Sequence, residues 1–175
     1  MTMILPSARR ARTGALYAGL ALLGSAALAA SAQVSVPMWP VPATLQTLVV
    51  LLLGALGGAR FGAATVLLYL AEGAMGLPVF AGGAAGPAAL MGPTAGYLLG
   101  FAAAAWLAGH ARGALPRQAG VLLAAHLLLF IPGVLWLATF TGLEQAVMAG
   151  FVLFIPGTLV KTGLALAVLR ATGRR

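Results

Sequence analysis

Apolar residues fall into six long stretches, residues 13–32, 43–59, 61–76, 93–109, 119–140 and 145–169, divided by short segments rich in Arg, Pro or Gly. A helix needs about 20 apolar residues to cross a bilayer, so the pattern predicts six transmembrane helices. The alternation of apolar and polar residues that marks a membrane β-barrel strand is missing along the chain. The expected architecture is an all-α integral membrane protein, one six-helix bundle occupying residues 1–175.

Composition supports this reading. Of 175 residues, 62% are hydrophobic and 7% charged, with a mean hydropathy of +1.05, too few polar side chains to cover a soluble domain. Six spans leave no room for a separate aqueous catalytic domain. Cysteine is absent, which excludes disulfides, thiolate metal sites and cysteine nucleophiles.

A net charge of +8 would ordinarily suggest nucleic acid, but its distribution argues otherwise. The arginines fall at positions 9, 10 and 12, at Arg60, at Arg112 and Arg117, and at positions 170, 174 and 175. These are the N-terminus, alternate loops and the C-terminus, so they share one face. By the positive-inside rule that face is cytoplasmic, with both termini inside, and no nucleic-acid partner is expected. Ala30-Ser31-Ala32 ahead of Gln33 also resembles a signal cleavage site. The first span is nevertheless expected to be retained, because it carries a packing ladder of its own.

That ladder is Ala11, Ala15 and Gly19, and a longer one runs through Gly92, Gly96, Gly100, Ala104 and Ala108 in the fourth span. In lipid, helices associate through close backbone approach at small residues. The fourth-span ladder is expected to pack inside the bundle, whereas the terminal first span is as well placed to meet a partner subunit. Phe-Ile-Pro-Gly occurs twice, at 130–133 and 154–157, which is too little to define a repeat.

Opposite the arginine face, three apolar segments break helix rules: 36–42 with Pro37, Pro40 and Pro42, 77–92 with Pro78, Pro87 and several glycines, and Pro156-Gly157. Irregular backbone at membrane depth persists only where protein or a water-filled cavity covers it. Around these segments stand Trp39, Thr44, Gln46, Phe80, Met91, Thr94, Tyr97, Thr158 and Lys161. Apolar walls with a few polar groups are the usual composition of a small-molecule site, here facing outward.

Lys161 is the most informative residue, since a cation inside a span costs at least about 2.5 kcal/mol. It precedes Arg170 by nine residues, about 13.5 Å along a helix, and so lies at mid-membrane. Glu72 follows Arg60 by twelve residues, about 18 Å, at a similar depth. The two either form an ion pair or supply two polar walls of one pocket. His126, also within a span, is expected to be a buried, hydrogen-bonded imidazole. The phosphate-binding pattern GxxxxGK[ST] is absent, and no chain of carboxylates crosses the membrane to carry protons. The residues therefore suggest capture of a small ligand from outside, with energy supplied by other proteins.

Four segments, residues 41–48 (VPATLQTL), 76–82 (GLPVFAG), 92–101 (GPTAGYLLGF) and 156–161 (PGTLVK), resemble in order those of the BioY family, the biotin-capturing S subunits of energy-coupling-factor (ECF) vitamin transporters. The resemblance spans essentially the whole chain. It implies a six-helix bundle in the cytoplasmic membrane that binds biotin near its outer face and needs no cofactor. It also implies docking on a transmembrane coupling subunit served by two ABC-type ATPases, and Ala11, Ala15 and Gly19 resemble the docking stripe of such subunits. Family members commonly carry Asp three residues before the lysine, where this chain has Thr158.

Biotin's chemistry suits these residues. Its carboxylate wants a cation, and Lys161 is the nearby one. Its ureido ring needs donors and acceptors, which Gln46, Thr44, Thr158 or Glu72 offer. Its thiophane ring needs apolar walls, for which Trp39, Phe80, Met91 and Tyr97 are candidates. Another carboxylated vitamin satisfies the same requirements, a self-sufficient carrier is an alternative, and an intramembrane enzyme using Glu72, His126 and Lys161 is a weaker one.

Overall fold

The computed structural model describes residues 5–173, with side chains described from residue 13 onward. Helices dominate it: α1 (Leu5–Gln33), α2 (Gln46–Gly57), α3 (Ala59–Ala74), the single turn α4 (Gly86–Ala89), α5 (Ala95–Ala108), α6 (Leu115–Leu128), α7 (Phe130–Thr141), α8 (Leu143–Gly150) and α9 (Ile155–Ala171). Between α1 and α2 the chain folds into a small antiparallel hairpin, β1 (Ser35–Val36) with β2 (Ala43–Thr44), pairing Ser35 with Thr44 and Val36 with Ala43.

Among the described residues three helical stretches are long and apolar enough to cross a membrane: Thr13–Gln33, Leu115–Thr141 and Leu143–Ala171. The protein is therefore multi-pass. Gln46–Gly57 and Ala95–Ala108 are shorter apolar helices. At 12 and 14 residues they span about 18 and 21 Å, and irregular chain fills the remaining depth. Two helix reversals are made by one glycine each. Gly58 (φ +92°) joins α2 to α3 and Gly142 (φ +81°) joins α7 to α8, in left-handed backbone that side chains with a Cβ resist. The first of these turns brings Arg60 to the helix end, where it is exposed.

Helix α5 lies at the centre, packed against α2, α3, α6 and α7. Its small residues make this possible. A Cβ on Gly100 would stand 2.9 Å from both Cα and O of Leu129, and Ala104, Ala105 and Ala108 are wholly buried. The fourth-span ladder therefore packs inside the bundle. The first-span ladder behaves differently: residues 13–20 are exposed throughout, and a Cβ on Gly14 or Gly19 would touch nothing within 4 Å. Ala11 lies outside the residues whose side chains are described.

Apolar burial divides by depth. One cluster includes Leu28, Tyr69, Phe80, Tyr97, Phe101, Phe130 and Leu137, and the other includes Leu51, Ala108, Leu122, Ala165 and Leu169. The third irregular segment sits earlier than the proline suggests. The helix breaks over residues 151–154, and Pro156 occupies the first turn of α9, where its missing N–H is no loss. Pro132 likewise lies in the first turn of α7. The two Phe-Ile-Pro-Gly segments thus each start a helix.

Candidate functional site

The irregular segments border a cavity whose lining is mostly apolar with a few polar side chains, the composition of a small-molecule site. Six of the expected site residues line it: Thr44, Gln46, Thr94, Tyr97, Thr158 and Lys161. Strand β2 and the start of α2 supply the first two, α5 supplies Tyr97, and α9 supplies Thr158 and Lys161, three residues apart and hence on one side of that helix.

Lys161 reaches across the cavity wall. Its Nζ donates to the backbone carbonyl of Thr44 at 2.9 Å, linking α9 to the β1–β2 hairpin. From that point a chain of hydrogen bonds runs around the wall. Thr44 Oγ1 donates to Gln46 Oε1 at 3.0 Å and accepts the Gln46 backbone N–H at 3.3 Å. Gln46 Nε2 then donates to Tyr69 OH at 2.6 Å, and Tyr69 OH donates to the Val79 carbonyl at 3.0 Å. Hairpin, α2, α3 and the segment before α4 are thereby held in one arrangement.

The opposite wall is aromatic. Tyr97 meets Phe130 edge-on at 6.1 Å and stacks near Phe154 at 6.4 Å, while its hydroxyl donates to the Gly150 carbonyl at 2.8 Å. Phe130 and Phe154 are 6.0 Å apart, and both line the cavity with Phe101, Leu98 and Leu129. These apolar residues escape a sequence reading centred on the broken segments. The repeated Phe-Ile-Pro-Gly was the available signal, since each copy places its phenylalanine on this wall. His126, read from sequence as a buried imidazole, also lines the cavity.

Four expected site residues lie elsewhere. Trp39 and Met91 are 75% and 70% exposed and point away from the protein. Phe80 is buried one layer behind the cavity, edge-on to Tyr69 at 5.4 Å, while its neighbour Ala81 lines the wall. Glu72 faces α1, where its carboxylate accepts a hydrogen bond from the Ser25 hydroxyl. Glu72 is neither the ion-pair partner of Lys161 nor a wall of this cavity. Among the described residues no group of three His, Asp or Glu converges as metal ligands would.

A multi-pass helical bundle carrying an apolar, single-ammonium cavity beneath broken helices is the form of a membrane protein that binds a small molecule. Comparison with known proteins sharpens the class. Residues 7–175 match the BioY family, and the chain belongs to that family. It is 38% identical over 137 residues to the probable biotin transporter BioY of Pyrococcus horikoshii, covering 78% of this chain and 83% of that protein. It is 36% identical over 162 residues to biotin transporter BioY2 of Lactococcus lactis subsp. cremoris, covering 87% of this chain and 89% of that protein. In fold it resembles the crystal structure of the S-component for biotin from an ECF-type ABC transporter, with a TM-score of 0.83 and 22% identity over 98% of this chain and 94% of that one.

Proposed function

We propose that this chain captures biotin at the outer face of the cytoplasmic membrane, as the substrate-binding S subunit of an ATP-driven ECF vitamin transporter. Its curated relatives are transporters, and the chain is a transport protein and not an enzyme. The observation that carries the reading is the ammonium of Lys161, the chain's single lysine, on the wall of an otherwise largely apolar cavity. A carboxylate entering from outside would take this ammonium from the Thr44 carbonyl, exchanging a neutral acceptor for a charged one. The thiophane ring would pack on the aromatic wall, and Gln46, Thr44 and Thr158 stand within the same lining for polar contacts. Thr158, where the family commonly carries Asp, contributes a hydroxyl in place of a negative charge, which leaves Lys161 free to meet an anionic ligand.

Counting α1, α2, α3, α5, α6 with α7, and α8 with α9 as crossings makes six spans, acting together as one substrate-binding domain. The exposed arginines Arg60, Arg112, Arg117 and Arg170 then share the cytoplasmic side, with both termini inside. The coupling subunit would dock on the stripe of Ala11, Ala15 and Gly19, because Ala15 and Gly19 leave the surface of α1 open to close backbone approach. Two ABC-type ATPases bound to that subunit would supply the energy.

Calorimetry of the purified chain tests the reading. Biotin is expected to bind with the methyl ester at least about tenfold weaker, the loss of one charge-assisted hydrogen bond. Failure of biotin to bind, or equal affinity for acid and ester, overturns it.

A further inference from the structure

We infer that His126 is a further polar ligand contact, its Nε2 hydrogen-bonding the ureido group of the bound molecule. This rests on the reading of the cavity as a biotin site. His126 is 1% exposed on α6, its ring lies parallel to Phe130 at 6.3 Å, and its Nδ1 sits 2.9 Å from Thr162 Oγ1. The second ring nitrogen has no hydrogen-bond partner among the described residues, although it is buried and the residue lines the cavity. Thr47 Oγ1 is a second buried, unpartnered polar atom from the same lining. Buried polar atoms are almost always satisfied, and an orphan is destabilising. Two of them on one cavity wall point to groups a ligand completes.

The placement of the two nitrogens selects the part of the ligand. Thr162 follows Lys161 along α9 and holds His126, while the Lys161 ammonium turns to Thr44. The cavity lining therefore carries an ammonium and, offset from it along α9 on the side of Thr162, an imidazole, together with apolar side chains. An elongated molecule with a carboxylate at one end and a polar ring at the other fits that order. A ureido group suits either form of the imidazole. If the Thr162 hydroxyl donates to Nδ1, Nε2–H donates to the ureido oxygen. If Nδ1–H donates to Thr162, Nε2 accepts a ureido N–H.

Two substitutions separate a ligand contact from a structural one. Glutamine sets its amide near the position of Nε2, and asparagine sets its amide near Nδ1. His126→Asn keeps the bond to Thr162 and loses the ligand contact, so its affinity for biotin is expected to fall about tenfold, while His126→Gln retains most of it. The asparagine variant should lose the same factor for biotin methyl ester, because esterification leaves the ureido ring unchanged. Independently, NMR of wild-type protein labelled with ¹⁵N-histidine should show the Nε2 resonance of His126 moving on biotin addition, with exposed His110 as the unmoved reference. The opposite order of the two variants, wild-type affinity in both, or an unmoved Nε2 resonance overturns the proposal. If the variants do not fold, the wild-type resonance decides alone. Absence of biotin binding by the wild-type chain instead overturns the biotin reading, and the ureido contact with it.

Discussion

Replacing Lys161 by methionine removes the ammonium while keeping an unbranched side chain of similar length, so the apolar lining of the cavity is preserved. In the unliganded protein the ammonium donates to the Thr44 carbonyl at 2.9 Å. Biotin's carboxylate would replace that carbonyl, and hydrogen bonds to charged groups are worth about 1.5–3 kcal/mol net. The Lys161→Met protein should therefore bind biotin roughly ten- to 150-fold more weakly than wild type. Biotin methyl ester presents no charge, so its affinity should change far less, by about threefold or under, the share of the lost tie to the hairpin. The assay is a double-mutant cycle by calorimetry, with two proteins and two ligands, whose coupling term isolates the ammonium–carboxylate contact. Equal losses for acid and ester would refute the reasoning. They would mean that Lys161 acts by holding the β1–β2 hairpin in place and not by touching the ligand.

Other consequences of the geometry are open to the same kind of measurement. Gly100→Val forces a side chain against the backbone of Leu129, 2.9 Å from the position a Cβ would take, and should cost about 1–3 kcal/mol, seen as a lower Tm in detergent. Gly19→Leu meets nothing within 4 Å and should leave Tm and biotin affinity unchanged while reducing uptake by the assembled transporter; unchanged uptake would remove α1 from the docking surface. Tyr69→Phe leaves the Gln46 amide and the Val79 carbonyl without their shared hydroxyl, so a loss of about 1–3 kcal/mol in stability is expected, together with weaker biotin binding, and a fully stable variant would show that the chain of hydrogen bonds does not brace the cavity. Glu72→Gln can still accept from the Ser25 hydroxyl and should bind biotin as wild type does, whereas a tenfold loss would return Glu72 to the site.

How far the site was legible follows from what lipid does to the hydrophobic signal. In water an apolar residue is driven inward and the pattern tells which side of a helix faces the core, but a lipid tail is as apolar as leucine. Depth could still be counted, at about 1.5 Å per residue from the arginines, and it drew attention to Lys161 and to Thr158, both of which lie on the cavity lining. Direction around the helix axis was not available from apolarity. Glu72 shows the consequence. It shares a depth with Lys161, yet the buried side of α3 runs through Gly62, Thr65, Val66, Tyr69, Leu70 and Gly73, a stripe that excludes position 72. Small and polar residues mark that stripe, so in a membrane helix they report orientation better than leucines do. Trp39 and Met91 are exposed and outside the lining for the related reason that an apolar side chain in a broken segment can face lipid as comfortably as ligand. Tyr97 stood among the candidates as an aromatic beside a broken segment, and its hydroxyl, which requires an acceptor inside the protein, donates to Gly150. The same criterion, applied to every buried polar side chain and not only to the charged ones, leads from the sequence to His126 and Thr47, and it is the one by which further ligand contacts in this cavity can be sought.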